Sequence, residues 1–353
     1  MSDADATEDY LEYFLDDITY QGKTERTREA YERVLTDFRS YLASRDLTLA
    51  EANHRDCMAY VHGLRGSVAD STVATYASYL HRFYDYMTRV GAFEENPMAL
   101  VLEEIDESIA KDPARRDISI PQMRSFVQDI GHPLEQAVVV TLLKTGVRAG
   151  ELCNLDRRDL ALPGSPDEGA PRARLDGRPD SLFVDDGPAA GEPSNGEVRT
   201  ASNKRKRATT IPVDEELAWV LCRWLAVRPD PVSDADPLFV STTDEWGKRL
   251  TPDMVHHLVA KHAREAGWYR EGGGPEENVT PHYCRHFFTT HLRDRTGDRG
   301  VVKYLRGDVA QDVIDTYTHD WGDRVREVYE ANIYSLKPYG ATSKSGPTRR
   351  TSS

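Results

Sequence analysis

The chain has 353 residues, 39% of them hydrophobic, and its 45 Lys and Arg against 59 Asp and Glu leave a formal charge of −14. That length favours two domains over one core, and the apolar share is enough to bury them, which excludes a disordered polymer. The acidic balance runs against the basic footprint usual for phosphate-binding surfaces, although net charge does not say where the bases sit.

The first hundred residues carry helical apolar stripes. Tyr10, Leu11, Phe14 and Leu15 form one, and Tyr31, Leu35, Phe38 and Leu42 a second. Val73, Tyr76, Leu80, Phe83, Met87 and Val90 follow at steps of three and four, closed by Gly91, with Asp70 or Ser71 as the expected cap. Shorter helical pieces lie between Leu47 and Leu64, which makes an all-α domain of four or five helices over residues 1–110.

From Glu94 to Asp117 the periodicity fades into a charged stretch with two prolines, the expected linker. A second domain is expected over residues 111–336. It opens on a helix at Pro121 with Met123, Phe126, Val127 and Ile130, then a buried helix through Ala137–Leu143, broken by Gly146. Residues 160–200 are rich in Gly, Pro, Asp and Ser, with short strands expected near Leu182–Val184 and Glu197–Arg199 and another over Thr209–Val213. Helices resume at Asp214–Val227, Pro252–Ala266, His282–Arg295, Gln311–Thr318 and Trp321–Tyr334. The tail over residues 337–353 has the composition of a disordered basic segment. The predicted class is mainly α with a small antiparallel β-sheet: a helical domain followed by an α+β domain.

Several chemistries lack sequence support. No apolar run approaches a membrane span, and the acidic start lacks the basic end and apolar core of a signal peptide, so a cytoplasmic protein is expected. Cys57, Cys153, Cys222 and Cys284 form no C-x-x-C pair and are read as reduced, mostly buried residues. There is no phosphate-cradling G-x-x-x-x-G-K-[ST] or G-x-G-x-x-G, so no nucleotide cofactor is expected. His256, His257 and His262 share a helix without a carboxylate that would complete a metal site. Only ten of the bases are Lys and 35 are Arg, which suggests a salt-rich cytoplasm where carboxylates keep the surface soluble.

Three segments carry chemistry in order. They are Thr145-Gly146-Val147-Arg148-Ala149-Gly150-Glu151-Leu152, His282-Tyr283-Cys284-Arg285-His286, and Tyr304-Leu305-Arg306-Gly307-Asp308 followed by Thr316-Tyr317-Thr318-His319. Together they resemble the signatures of the tyrosine recombinases, the phage integrase family, and the helical first domain extends the likeness along most of the chain. The resemblance implies a helical core-DNA-binding domain and a catalytic domain that clamp duplex DNA between them. It implies a site-specific recombinase that cuts and rejoins strands through a covalent 3′-phosphotyrosyl link, working as a homotetramer assembled on DNA. No metal, ATP or small-molecule substrate is implied.

Arg148 and Arg285 match the paired arginines of that family. Attack on a phosphodiester builds charge on its non-bridging oxygens, and in a metal-free site planar guanidinium forks can neutralise it. Tyr317 matches the nucleophile. His282 matches the histidine that relays the tyrosyl proton, and His286 is expected to support Arg285. Counting back from Pro212 places Lys204 as the acid for the leaving oxygen, with Lys206 as the alternative. Asp308 stands where the family has a His or Trp donor, and an ionised Asp cannot donate. Asp308 could orient a base such as His282, His319 could supply the donor, or activity could be weak. A weak or inert DNA-binding protein and a type IB topoisomerase-like enzyme therefore stay as alternatives. DNA-facing bases are expected at Lys204–Arg207, at Lys23, Arg26, Arg28, Arg33 and Arg39, and at His81, Arg82 and Arg89. The helix Trp321–Tyr334 is the element expected to dock on a neighbouring copy.

Overall fold

The computed structural model describes residues 3–21, 25–105, 115–165, 170–308 and 321–337, without the side chains of residues 3–9, 26 and 321–323. The chain divides into two compact units, Met1–Pro113 and Ala114–Ser353.

The first unit is helical: α1 (Asp3–Tyr20), α2 (Glu25–Ala43), α3 (His54–Leu64), α4 (Asp70–Arg89) and α5 (Met98–Glu104). Its core is built by the apolar stripes, with Phe14, Leu35, Phe38, Leu80, Phe83 and Met87 fully buried. Phe14 meets Phe83 edge-on at 5.3 Å, the favoured geometry for aromatic pairs. Helix α4 opens after Ala69, which makes no side-chain cap, so Asp70 lies in the first turn, where its charge complements the helix dipole. Part of the expected linker is α5, whose Met98 and Val101 are buried in this core.

The second unit begins with α6 (Ile120–Gln128), α7 (Pro133–Thr145) and α8 (Ala149–Cys153). Ser119 and Gln122 form a capping box at the start of α6. Helix α7 is buried along nearly its whole length because α9 (Glu215–Leu225), α10 (Pro252–Glu265) and α11 (Pro281–Thr296) pack against it. The strands are β1 (Leu160–Ala161), β2 (Ser181–Val184), β3 (Pro193–Ser194), β4 (Glu197–Val198) and β5 (Thr209–Pro212). Order β1-β2-β5 makes one antiparallel sheet, registered by Leu160 opposite Leu182 and Leu182 opposite Ile211. The β3–β4 hairpin is tied down by charge: buried Asp156 takes both guanidinium arms of Arg199 and also Arg249, which pairs with Glu197. Buried charge networks of this kind fix geometry more than they add stability.

Helices α12 (Arg299–Leu305) and α13 (Trp321–Asn332) complete the unit. Helix α13, expected to dock on a neighbour, packs one face on its own unit. Val325 and Tyr329 are buried in the core of its own unit, and the Tyr329 hydroxyl donates to the Lys144 carbonyl at 3.0 Å. The buried Lys144 ammonium is held by Asp214 at 2.6 Å, Glu216 at 2.7 Å and the Tyr334 carbonyl at 2.6 Å, which fastens the chain beyond α13 to α7 and α9. All four cysteines are free thiols, Cys222 half-buried and the others buried. Among the described residues, no helix is long and apolar enough to cross a membrane.

Candidate active site

Three chain reversals bring the motif residues together. Helix α7 ends at Gly146, whose φ of 64° is left-handed. A Cβ there would lie 2.3 Å from the Phe288 ring, so only glycine fits. Two residues on, Arg148 caps α8, and Glu151 of that first turn reaches back. Its carboxylate accepts from the Arg148 amide at 2.9 Å and from Arg148 Nη1 at 2.9 Å.

Helix α11 starts after Thr280, whose side chain accepts from the Tyr283 amide, with Pro281 in the first turn. Three residues apart on this helix, His282 and Arg285 share a face. Arg285 is 3% exposed. Its Nη1 donates to the Gly146 carbonyl at 2.6 Å, and its Nη2 to the Arg306 carbonyl at 3.0 Å. Helix α12 stops at a left-handed Gly307, and the Asp308 amide donates back to the Lys303 carbonyl at 3.1 Å.

The carboxylate of Asp308 joins the three pieces. Its Oδ1 accepts from Arg285 Nη2 at 2.9 Å and from Arg148 Nη2 at 3.1 Å, and Oδ2 pairs with Arg306 Nε at 2.9 Å. The described partners of Asp308 are thus guanidinium groups and not His282, which removes the expected base-orienting contact. Burial, then the nearby Arg148 charge, pull Arg285 down to about 10, still protonated at neutral pH. His282 is exposed at the rim. Partial desolvation and the charges of Arg115, Arg285, Arg148 and Arg306 lower its pKa, so its imidazole is neutral and able to accept a proton near neutral pH.

By sequence, Lys204–Arg207 is one basic patch. The structure splits it. Arg205 turns inward with its side chain fully buried, its Nε 3.3 Å from Glu151 Oε2 and its Nη1 donating to the Leu305 carbonyl at 3.1 Å. The Lys206 amide donates to the Gly307 carbonyl at 2.9 Å. A Cβ on Gly307 would lie 2.7–2.9 Å from the Arg205 side chain, so glycine lets the two segments touch. Lys204 and Lys206 flank Arg205 and are both exposed, while the Arg207 guanidinium stacks 5.2 Å from the Tyr304 ring. Counting Arg148, Arg205, Arg285 and Arg306 against Glu151 and Asp308, the centre is positive by two charges.

Tyr317, His319 and the segment 311–318 lie outside the described residues, as do Lys23 and the Arg26 side chain. His286 sits 3.5 Å from Thr290 Oγ1. On α10, His262 is bonded to Glu135 at 2.7 Å and to Glu265 at 3.1 Å. Among the described residues no cluster of His, Cys, Asp or Glu has metal-binding geometry. In the first unit, Arg28 is paired with Glu32, while Arg82 and Arg89 are exposed and line a cavity of about 380 Å³ with Gln21 and Asp85.

Glu151, Arg205, Arg306 and Arg115 take part in the site without being singled out by the sequence. Glu151 had a signal, since it is the acid of TGVRAGEL. Arg205 was hidden in a run of four bases, and Arg306 stood two places before the residue that drew attention.

Comparison with known proteins fits this arrangement. The model for the phage integrase family matches residues 192–322, and that for the phage integrase N-terminal SAM-like domain matches residues 11–91, together more than half of the chain. The tyrosine recombinase XerC of Alcanivorax borkumensis is 27% identical over 316 residues, covering 86% of each protein. Solved structures with a similar fold include the Tn1549 transposon integrase in complex with a circular intermediate DNA, at a TM-score of 0.62 and 17% identity, covering 91% of this chain and 99% of that one. A lambda integrase dimer bound to a COC′ core site gives a TM-score of 0.59 at 14% identity, covering 85% and 94%. The chain belongs to the phage integrase family. It is a tyrosine recombinase, a DNA breaking-and-rejoining enzyme with a helical SAM-like domain ahead of a catalytic integrase domain.

Proposed function

We propose that this recombinase acts on double-stranded DNA with Tyr317 as nucleophile and the Arg148–Arg285 pair as the seat of the scissile phosphate. The observation that carries this is the meeting of Arg148 Nη2 and Arg285 Nη2 on one carboxylate oxygen, at 3.1 and 2.9 Å. Two guanidinium forks that hold one anionic oxygen so closely can hold a phosphate oxygen in the same way. The DNA-bound integrases of similar fold support a duplex partner.

In this reading the Tyr317 oxygen attacks phosphorus and its proton passes to the neutral imidazole of His282. The bond to the 5′ oxygen breaks, and that oxygen takes a proton from Lys204, with Lys206 as the alternative. The phosphotyrosyl link retains the bond energy, so a free 5′ hydroxyl can reverse the step and rejoin a strand without ATP. The fixed guanidiniums supply the charge neutralisation that metal ions supply elsewhere. Residues 1–110 serve as the DNA-binding domain and residues 111–336 as the catalytic domain, and action on cellular DNA places the enzyme in the cytoplasm. Strand exchange between two duplexes uses four such sites, hence a homotetramer on DNA. Helix α13 buries Val325 and Tyr329 in its own unit and leaves Glu327, Glu330 and Ala331 exposed, and that outer face is the one that would dock on a neighbouring copy.

The test is a nicked suicide duplex, chosen by the protein from a random-sequence pool. A covalent adduct that vanishes in Tyr317→Phe supports the reading. Tight binding without any adduct would instead establish a DNA-binding protein, the alternative that the carboxylate in the phosphate seat favours. Relaxation of supercoils without recombination of paired sites would indicate a nick-and-relax enzyme.

A further inference from the structure

We propose that Arg306 is the third phosphate-binding residue of this site, supplying the donor that Asp308 cannot, and that Asp308 occupies the seat until the phosphate displaces it. The inference rests on the reading that Arg148 and Arg285 hold the scissile phosphate.

A carboxylate and a phosphodiester present the same face to a guanidinium: two oxygens on one atom sharing one negative charge. Asp308 therefore marks where such a group sits. Its Oδ1 fills the place between Arg148 and Arg285, and its Oδ2 the place before Arg306 Nε. An ionised carboxylate only accepts hydrogen bonds, so Asp308 cannot act on a phosphate oxygen. The guanidinium of Arg306 can, and a charge-assisted N–H is a stronger donor than a neutral ring N–H.

The bland reading makes Arg306 a surface partner of Asp308, worth little by itself. Two observations weigh against it. The carbonyl of Arg306 accepts from Arg285 Nη2 at 3.0 Å, so its backbone is part of the wall that holds the buried clamp arginine. His282 also registers the same cation, because after partial burial the charges of Arg115, Arg285, Arg148 and Arg306 all lower its pKa. The side chains of Arg306 and Asp308 are 31% and 28% exposed, so an incoming phosphate can reach the pair and the carboxylate has space to leave. Removing the Asp308 charge leaves Arg285 and Arg306 without that carboxylate and releases Arg148 Nη2, while Arg148 Nη1 keeps Glu151.

The experiment is calorimetric titration of the full chain with inorganic phosphate at fixed ionic strength. Asp308→Asn keeps the shape and removes the charge, and we expect it to bind phosphate about tenfold or more tighter than the parent. In that background Arg306→Gln should lose about tenfold or more, the worth of one charge-assisted hydrogen bond, and Arg148→Gln and Arg285→Gln should do the same. Should Arg285→Gln not fold, Arg148→Gln, whose side chain is partly exposed, carries that arm. If Arg306→Gln leaves phosphate binding unchanged while Arg148→Gln weakens it, the seat stands and the role of Arg306 is overturned. If Asp308→Asn binds no tighter than the parent, Asp308 is not a placeholder. If none of the three arginine variants matters, the phosphate seat itself is wrongly placed.

Discussion

Glu151 is the residue whose loss should cost the catalytic unit most for the smallest change in shape. The substitution Glu151→Gln alters one atom and removes one charge. That carboxylate is wholly buried, accepts from the Arg148 amide and Nη1, and is the anionic partner of the equally buried Arg205. An amide offers one acceptor oxygen and turns its NH₂ toward donors, so the Arg205 charge is left buried without an anion. Breaking a buried pair from one side costs about 3–5 kcal/mol, a large part of the roughly 5–15 kcal/mol that holds a domain folded. For a unit of this size about 2–4 °C is lost per kcal/mol, so the midpoint should fall by about 6–20 °C. Calorimetry of the whole chain reads this directly, as a fall in the midpoint of the transition that carries the catalytic unit. Adding Arg205→Met should recover much of the loss, since an apolar side chain needs no anion. A shift below about 2 °C, or no recovery in the double variant, would refute the idea that this pair organises the site.

Three further outcomes follow from the same geometry. Arg115→Gln removes a positive neighbour of His282, so the imidazole pKa rises and the acid limb of the cleavage rate moves to higher pH; a pH–rate profile that does not shift would remove Arg115 from the site's electrostatics. Gly307→Ala combines a left-handed backbone, costing about 1–2 kcal/mol, with a Cβ pressed on Arg205, and should abolish adduct formation while DNA binding survives. Lys144→Met leaves Asp214 and Glu216 facing each other without their shared cation and should free the segment after α13, read as faster proteolysis there; cleavage at the parent rate would count against the clip.

The helices were legible because burial follows periodicity. The α4 stripe of Val73, Leu80, Phe83 and Met87 is fully buried, while Val90, past its end, is largely exposed. Helix α5 was missed because seven residues are two turns, too short to show a period, and only Met98 and Val101 reach the core. The motif residues could be named from sequence, but not the partners each would find. Within Lys204–Arg207 no local rule selects Arg205 to turn inward. That choice is made by a carboxylate on α8 and a carbonyl at the end of α12, groups far off in the chain that only tertiary packing brings near. Asp308 was legible as a departure from the expected donor. Its contacts with three arginines were not, because they depend on where the α12 turn delivers it.

The bond from the Lys206 amide to the Gly307 carbonyl, with Arg205 lodged under the same glycine, has a consequence for anyone building chimeras of such enzymes. The loop that carries both candidate acid lysines and the turn that leads toward Tyr317 share one anchor, so neither is an independent module. A loop transplanted from a relative without its own inward arginine and matching glycine would arrive with its lysines out of register. The exchangeable piece is the pair, residues 203–208 together with residues 305–308.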